Sequence, residues 1–213
     1  MKITRRFTTP DKNVFNTVEW TKRSSRILNP DGSVVFEMND AEVPASWSQL
    51  ATDICVSKYF RKAGVPQYED GGTGIPPVHE HGTAETAVPP KPKLDSNGQP
   101  ITGPERSVQQ VVHRLAGCWR AWGEKHGYFD TAEDADAFYD ELAYMLINQM
   151  AAPNSPQWFN TGLHWAYGIS GPPQGHWVND ARTGEPKRAN DAYSHPQPHA
   201  CFIQSVGDDL VNE

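Results

Sequence analysis

Three cysteines are all this 213-residue sequence carries. Cys55, Cys118 and Cys201 are odd in number, widely spaced and without a C-x-x-C pair, which argues against a disulfide scaffold or a zinc ribbon. Apolar residues are also scarce. At 37% hydrophobic content and a mean hydropathy of -0.65, part of the chain cannot belong to a core. No run of about 18 apolar residues exists, which excludes a membrane-spanning helix, and Met1-Lys2-Ile3-Thr4-Arg5-Arg6 leads into no apolar signal segment. A cytoplasmic location with no membrane partner is expected. Positive charge is in deficit, 19 Lys and Arg against 26 Asp and Glu for a net -7. General affinity for a nucleic-acid backbone needs clustered cations, so no direct nucleic-acid binding is expected.

One local exception is the first 30 residues, which carry seven basic side chains against Asp11 and Glu19. The favoured reading is a segment that lies on an acidic partner or on an acidic part of the same protein.

Length suits one or two domains. Residues 1–66 read as an N-terminal domain of one hairpin and one helix. Arg26-Ile27-Leu28 and Val34-Val35-Phe36 are short extended runs joined by the turn former Asn29-Pro30-Asp31-Gly32. A helix is predicted over 46–63, capped by Ser46 and Gln49, with Trp47, Leu50, Ala51 and Ile54 on its buried face, and ended by Gly64 and Pro66. Residues 67–101 are rich in Pro and Gly and poor in large apolar side chains, as expected of a linker or a disordered insertion.

A helical pair is predicted over 102–152. The first helix starts at Thr102, with Pro104 in its first turn and Glu105 completing a capping box, and buries Val108, Val111, Val112, Leu115, Trp119 and Trp122. The second starts at Thr131 and buries Ala135, Phe138, Tyr139, Leu142, Leu146 and Met150. A short Gly127-containing connection makes the two an antiparallel pair. From Pro153 to about Pro198 no regular pattern is found, a length that points to a functional or surface-wrapping segment. Residues 200–206 then read as a buried strand, and 153–213 as an incomplete catalytic unit. The fold class expected is α+β.

Among residues suited to chemistry, Cys201 stands at a strand start after the proline-broken run His195-Pro196-Gln197-Pro198-His199. It reads either as a nucleophilic or reducing thiol or as a small buried apolar side chain. Cys55 and Cys118 fall on helices and read as core. His79 with His81, or His195 with His199 and Cys201, could ligate a metal, but Pro196 and Pro198 prevent a helical presentation and no bound metal is expected. Asn154-Ser155-Pro156-Gln157-Trp158-Phe159-Asn160-Thr161-Gly162 is either a loop that holds a polar ligand or an ordinary turn. Trp158, Trp165, Tyr167, Trp177 and Tyr193 suit stacking on a ring or, more simply, covering apolar surface.

Taken together, Asn154 to Leu163 and His195-Pro196-Gln197-Pro198-His199-Ala200-Cys201-Phe202-Ile203-Gln204-Ser205-Val206 closely resemble the class II, adenosylcobalamin-dependent ribonucleotide reductases. Glu42-Val43-Pro44, Trp47-Ser48-Gln49 and Lys58-Tyr59-Phe60-Arg61 are similar to their N-terminal domain. The resemblance spans nearly the whole chain outside the linker. It implies a radical enzyme on a ten-stranded α/β barrel, of which this chain would enter only the first strand, and which reduces ribonucleoside diphosphates to 2'-deoxyribonucleotides for DNA synthesis. A thiyl radical generated through adenosylcobalamin removes the 3'-hydrogen, and a cysteine pair supplies the reducing equivalents. By motif position Cys201 belongs to that pair, Ser155 contacts the nucleotide, and Ala200 and Cys201 line the substrate site.

The same resemblance implies further partners: the ribonucleotide, the remainder of the reductase, and a thioredoxin-type or dithiol reductant. The radical cysteine, the second reducing cysteine and most cobalamin contacts have no counterpart here, so the chain alone is expected to be inactive. A competing reading is a non-catalytic interaction module or split subunit that docks on a larger partner.

Overall fold

The computed structural model describes residues 1–69, 71–75, 91–180 and 182–196. The hairpin is longer than the sequence suggested: β1 (Trp20–Leu28) pairs antiparallel with β2 (Val34–Pro44). Gly32 takes the left-handed φ of +85° that the predicted turn requires. The register slips between Arg23 and Ser25, opposite Asp40 at φ +58°, so β2 carries an extra residue that bends the ribbon. This bulge lets Ala41 and Val43 turn inward, and both are fully buried.

The helix predicted over 46–63 is shorter and differently capped. Arg23 donates to the carbonyls of Ala45 and Trp47 at 2.9 and 2.5 Å, and the Trp47 indole donates to the Ile147 carbonyl at 2.7 Å. Those contacts hold residues 45–47 outside the helix. Ser48, not Ser46, then caps α1 (Gln49–Ile54), which continues as a π turn (Cys55–Tyr59). Its inward side is Thr52, Cys55 and Val56, whereas Leu50 and Ile54 are exposed.

The described ends of the Pro/Gly stretch are ordered. β3 (Val65–Pro66) pairs with β4 (Thr102–Gly103), and bridges at Tyr68 with Pro92 and Leu94 with Pro100 extend the ribbon. Because β4 and the carbonyl of Arg106, which accepts from the Glu42 amide, hold residues 102–106 extended, the first long helix cannot begin at Thr102. It begins six residues later, α2 (Val108–Lys125), under a capping box of Ser107 and Gln110. Helix α3 (Ala132–Ile147) starts as expected under Thr131. Val108, Val111, Val112 and Leu115 of α2 and Ala135, Tyr139 and Leu146 of α3 are buried. Phe138 and Leu142 are half-buried and Met150 lies exposed beyond the helix end.

The antiparallel sense follows from cross-contacts: His113 meets Tyr139, and one turn or two further along Arg120 pairs with Asp136 at 2.7 Å. One apolar core joins Phe15, Val43, Trp47, Val56 and Phe60 to Val111, Leu115, Tyr139 and Trp158, so the hairpin region and the helical pair share their interior.

The basic N-terminal segment lies on an acidic part of the same chain, the outer face of α3. The amide of Ile3 donates to Asp134 at 2.7 Å, Arg5 pairs with Asp140 at 2.6 Å, and the Phe7 and Thr8 amides and Thr8 hydroxyl converge on Glu141. The stretch read as irregular from Pro153 contains α4 (Ser155–Asn160), α5 (Leu163–Tyr167) and a ribbon of β5 (Trp177–Asn179) with β6 (Pro186–Arg188). These elements are too short for their periodicity to register in sequence. The strand expected over 200–206, with His199, Ala200 and Cys201, and the pair His79 and His81 lie outside the described residues. None of the described helices is long and apolar enough to cross a membrane.

Candidate functional site

Ser155 is the first residue of α4, a helix capped by the Asn154 side chain and started by Pro156. Its hydroxyl lies 3.2 Å from the Tyr59 hydroxyl, and the Tyr59 ring stacks on Trp158 at 5.4 Å and tilts against Phe159 at 5.4 Å. Beside them an apolar hollow of about 300 Å³ is lined by Trp47, Cys55, Tyr59, Leu146 and Trp158. Two segments almost a hundred residues apart, Lys58 to Arg61 and Asn154 to Leu163, therefore form one surface.

What joins them is a carboxylate and a guanidinium sealed from water. Arg114 and Glu105 are both 0% exposed and meet at 2.8 Å. The remaining Arg114 N–H groups donate to the carbonyls of Thr161 and Trp158, each at 2.8 Å, and of Tyr59 at 3.1 Å. Glu105 in turn accepts the Arg61 amide at 2.7 Å and the Tyr167 hydroxyl at 2.8 Å. Burial works against the Arg114 charge, but the Glu105 carboxylate outweighs it and keeps the guanidinium protonated. With each face of the pair hydrogen-bonded, the arrangement meets the condition under which a buried ion pair is tolerated.

Gly162 completes the joint. Its φ is +81°, and a Cβ there would stand 2.0 Å from the Arg114 carbonyl oxygen. Only glycine lets the chain turn from α4 into α5 while lying against α2.

Sequence reasoning placed Glu105 in a helix cap, took Gly162 only as the end of the Asn154 segment, and passed over Arg114. The signal was present: from Ser107 to Trp119 Arg114 is the one formally charged side chain, set among valines, Leu115 and Ala116. A lone arginine in such a run needs a buried partner.

Cys55 and Cys118 are core residues, as expected. Burial, with Glu105 adding to it at Cys55, pushes each thiol up to about 12, so neither is a thiolate or a ready reductant at neutral pH. Among the described residues no three His, Cys, Asp or Glu side chains converge to hold a metal ion.

Residues 21–149 match the family model described as class II vitamin B12-dependent ribonucleotide reductase. The vitamin B12-dependent ribonucleotide reductase of Agrobacterium fabrum is 54% identical over 216 residues, a match that takes in 100% of this chain and 17% of that protein. Its counterparts in Bradyrhizobium diazoefficiens and Rhodopirellula baltica are 52% and 37% identical, again over 17% of their length and 100% and 99% of this chain. The chain thus spans about a sixth of the length of these relatives, and the matches include both segments that the buried pair brings together. It belongs to the class II vitamin B12-dependent ribonucleotide reductases, of which it is the N-terminal part.

Proposed function

We propose that this chain is the N-terminal portion of an adenosylcobalamin-dependent reductase that converts ribonucleoside diphosphates to 2'-deoxyribonucleotides, with Ser155 touching the nucleotide and Cys201 serving as one thiol of the reducing pair. The observation that carries the reading is the Glu105–Arg114 joint. It holds the backbone of Tyr59, whose hydroxyl faces Ser155, and of Trp158 and Thr161, which follow Ser155 in the same segment, as a substrate-contacting hydroxyl requires. Binding energy is of use in catalysis only when the contacting groups are already in place.

The larger grooves of the described residues, from about 240 to about 600 Å³, do not fit cobalamin. Pockets for drug-sized ligands run to about 1,000 Å³, and a corrin with its axial arms is larger. Its seat would lie mainly outside the described residues, where it would supply the radical chemistry.

The role of Cys201 is reduction. Its thiol and a second thiol outside this chain would together give two electrons and two protons. One proton leaves with the 2'-hydroxyl as water, the carbon gains the other hydrogen, and the sulfurs join as a disulfide that a thioredoxin-type or small dithiol reductant reopens. Ala200, beside it, would line the sugar. The ten-stranded barrel would supply the remaining strands.

The test assembles this sequence with the remainder of the reductase, adenosylcobalamin, a ribonucleoside diphosphate and a dithiol, and follows deoxyribonucleotide formation. Cys201→Ser is expected to abolish multiple turnover, and turnover at the wild-type level would refute the assignment.

A further inference from the structure

Tyr59 and Ser155 meet across 96 residues of chain, hydroxyl to hydroxyl at 3.2 Å. Both side chains are half-buried, and among the described residues each hydroxyl has the other as its only hydrogen-bond partner. The two groups are not equivalent, because one is fixed and the other is free to turn.

Tyr59 is held at several points. Its ring stacks on Trp158 with the planes 21° apart and tilts against Phe159, each at 5.4 Å. Its carbonyl accepts from Arg114 at 3.1 Å. The next residue, Phe60, is 2% exposed and closes the π turn by donating its amide to the Cys55 carbonyl at 3.1 Å. A π turn is a rare local form that recurs at functional sites. Ser155 has its backbone placed by α4, but its side chain is a single hydroxyl on one rotatable bond, and the hydroxyl hydrogen swings about the C–O bond. A phenylalanine at position 59 would make the same two ring contacts. The phenol oxygen therefore adds nothing to packing, and its one contact is Ser155.

The direction of the shared hydrogen decides what Ser155 can bind. If Ser155 donates to Tyr59, the serine turns only lone pairs outward, and these repel the acceptor oxygens that dominate a nucleoside diphosphate. If Tyr59 donates, the Ser155 hydrogen is left to point outward. A phenol is the more acidic of the two hydroxyls and the better donor, which favours the second arrangement. Donation into Ser155 also polarises its O–H and strengthens the bond that it makes next. The 3.2 Å separation is longer than the usual value of about 2.7–2.8 Å, as bonds in a substrate site often are before the substrate draws them tight.

We infer that Tyr59 is a positioning residue for the substrate: its phenol donates to the Ser155 hydroxyl oxygen and so turns the serine O–H toward an acceptor oxygen of the nucleotide. The inference rests on the reading of Ser155 as a nucleotide contact and adds to it the group that sets the direction of that contact.

The test is a double-mutant cycle in the assembled reductase, with kcat and KM for a ribonucleoside diphosphate measured in Tyr59→Phe, Ser155→Ala and the double variant. Tyr59→Phe keeps the ring contacts and should raise KM about three- to tenfold, with kcat within about twofold of wild type. Once Ser155→Ala has raised KM, adding Tyr59→Phe should raise it no further, because no hydroxyl is left to orient. A purely structural role for Tyr59 would instead lower the melting temperature and multiply the loss equally in both backgrounds, and that result overturns the inference. So does a wild-type KM in Tyr59→Phe, or a fall in kcat with KM unchanged. A raised KM in Ser155→Ala beside a wild-type KM in Tyr59→Phe removes this inference alone. An unchanged KM in Ser155→Ala removes the reading of Ser155 and this inference with it.

Discussion

Glu105 and Glu141 each gather several donors around one carboxylate, yet they sit in different surroundings and do different work. Glu105 lies in the dry interior with Arg114, and the pair holds the backbone of two distant segments, Tyr59 to Arg61 and Trp158 to Thr161, together with the Tyr167 hydroxyl. Glu141 sits at the edge of α3 and holds one extended segment, residues 7 and 8, through two amides and a hydroxyl. The first is a permanent joint, since removing either partner strands a charge away from water. The second is a clasp nearer the surface, where Glu141 keeps 8% of its area exposed beneath the N-terminal segment. The segment carrying Ser155 hangs on the joint, and the basic N-terminal segment hangs on the clasp.

Substitutions should separate the two. Arg114→Met leaves Glu105 uncompensated and three carbonyls without donors, and should cost about 3–5 kcal/mol of unfolding free energy in denaturant titration. A smaller loss, about 2–4 kcal/mol, is expected for Gly162→Ala, where a strained φ adds to the clash with the Arg114 carbonyl. If Gly162→Ala melts like the wild type, α4 is not held as described. Glu141→Gln should cost only about 1–2 kcal/mol, and the loss should shrink as salt is raised, which exchange of the residue 3–8 amides would report.

Acid should distinguish them as well. Burial raises the proton affinity of Glu141, but the Thr8 hydroxyl and the amides of Phe7, Arg6 and Thr8 outweigh it and hold the carboxyl below its ordinary value. Its contribution is therefore complete above the unfolded value of about 4.3 and is lost as pH falls through the lower folded value. His113 acts earlier. Burial pushes it down to about 4, where it faces the Tyr139 hydroxyl at 2.8 Å and the Trp165 ring. It is neutral when folded, so stability should fall between pH 6.5 and about 4 as the unfolded chain takes up the proton. In His113→Gln that first limb should shrink to the part contributed by His195, whose burial also lowers its proton affinity, while the limb below about 4.3 remains.

The contrast also explains how far the sequence could be read. Local signals were reliable where the chain decides for itself: the Asn29 to Gly32 turn, the Thr131 cap of α3, and the valines and Leu115 that mark the inner face of α2. They failed where distant groups intervene. Ser46 loses the cap to Ser48 because Arg23, on another strand, takes the nearby carbonyls. The first turn expected at Thr102 is instead β4, paired with β3 across the Pro/Gly stretch. At the site, residue types within Asn154 to Gly162 left a ligand-holding loop and an ordinary turn both open, and the segment folds instead as the short helix α4. Pattern alone could not reveal that Tyr59 faces Ser155 or that Arg114 carries both segments, because that pairing spans 96 residues.

The most direct measurement of the account is nucleotide affinity in the assembled reductase carrying Ser155→Ala. A ribonucleoside diphosphate should bind or show a KM about tenfold weaker, while the melting temperature stays at the wild-type value because Ser155 is outside the buried joint. Unchanged affinity and KM would contradict the claim that the Glu105–Arg114 joint exists to present Ser155 to the nucleotide.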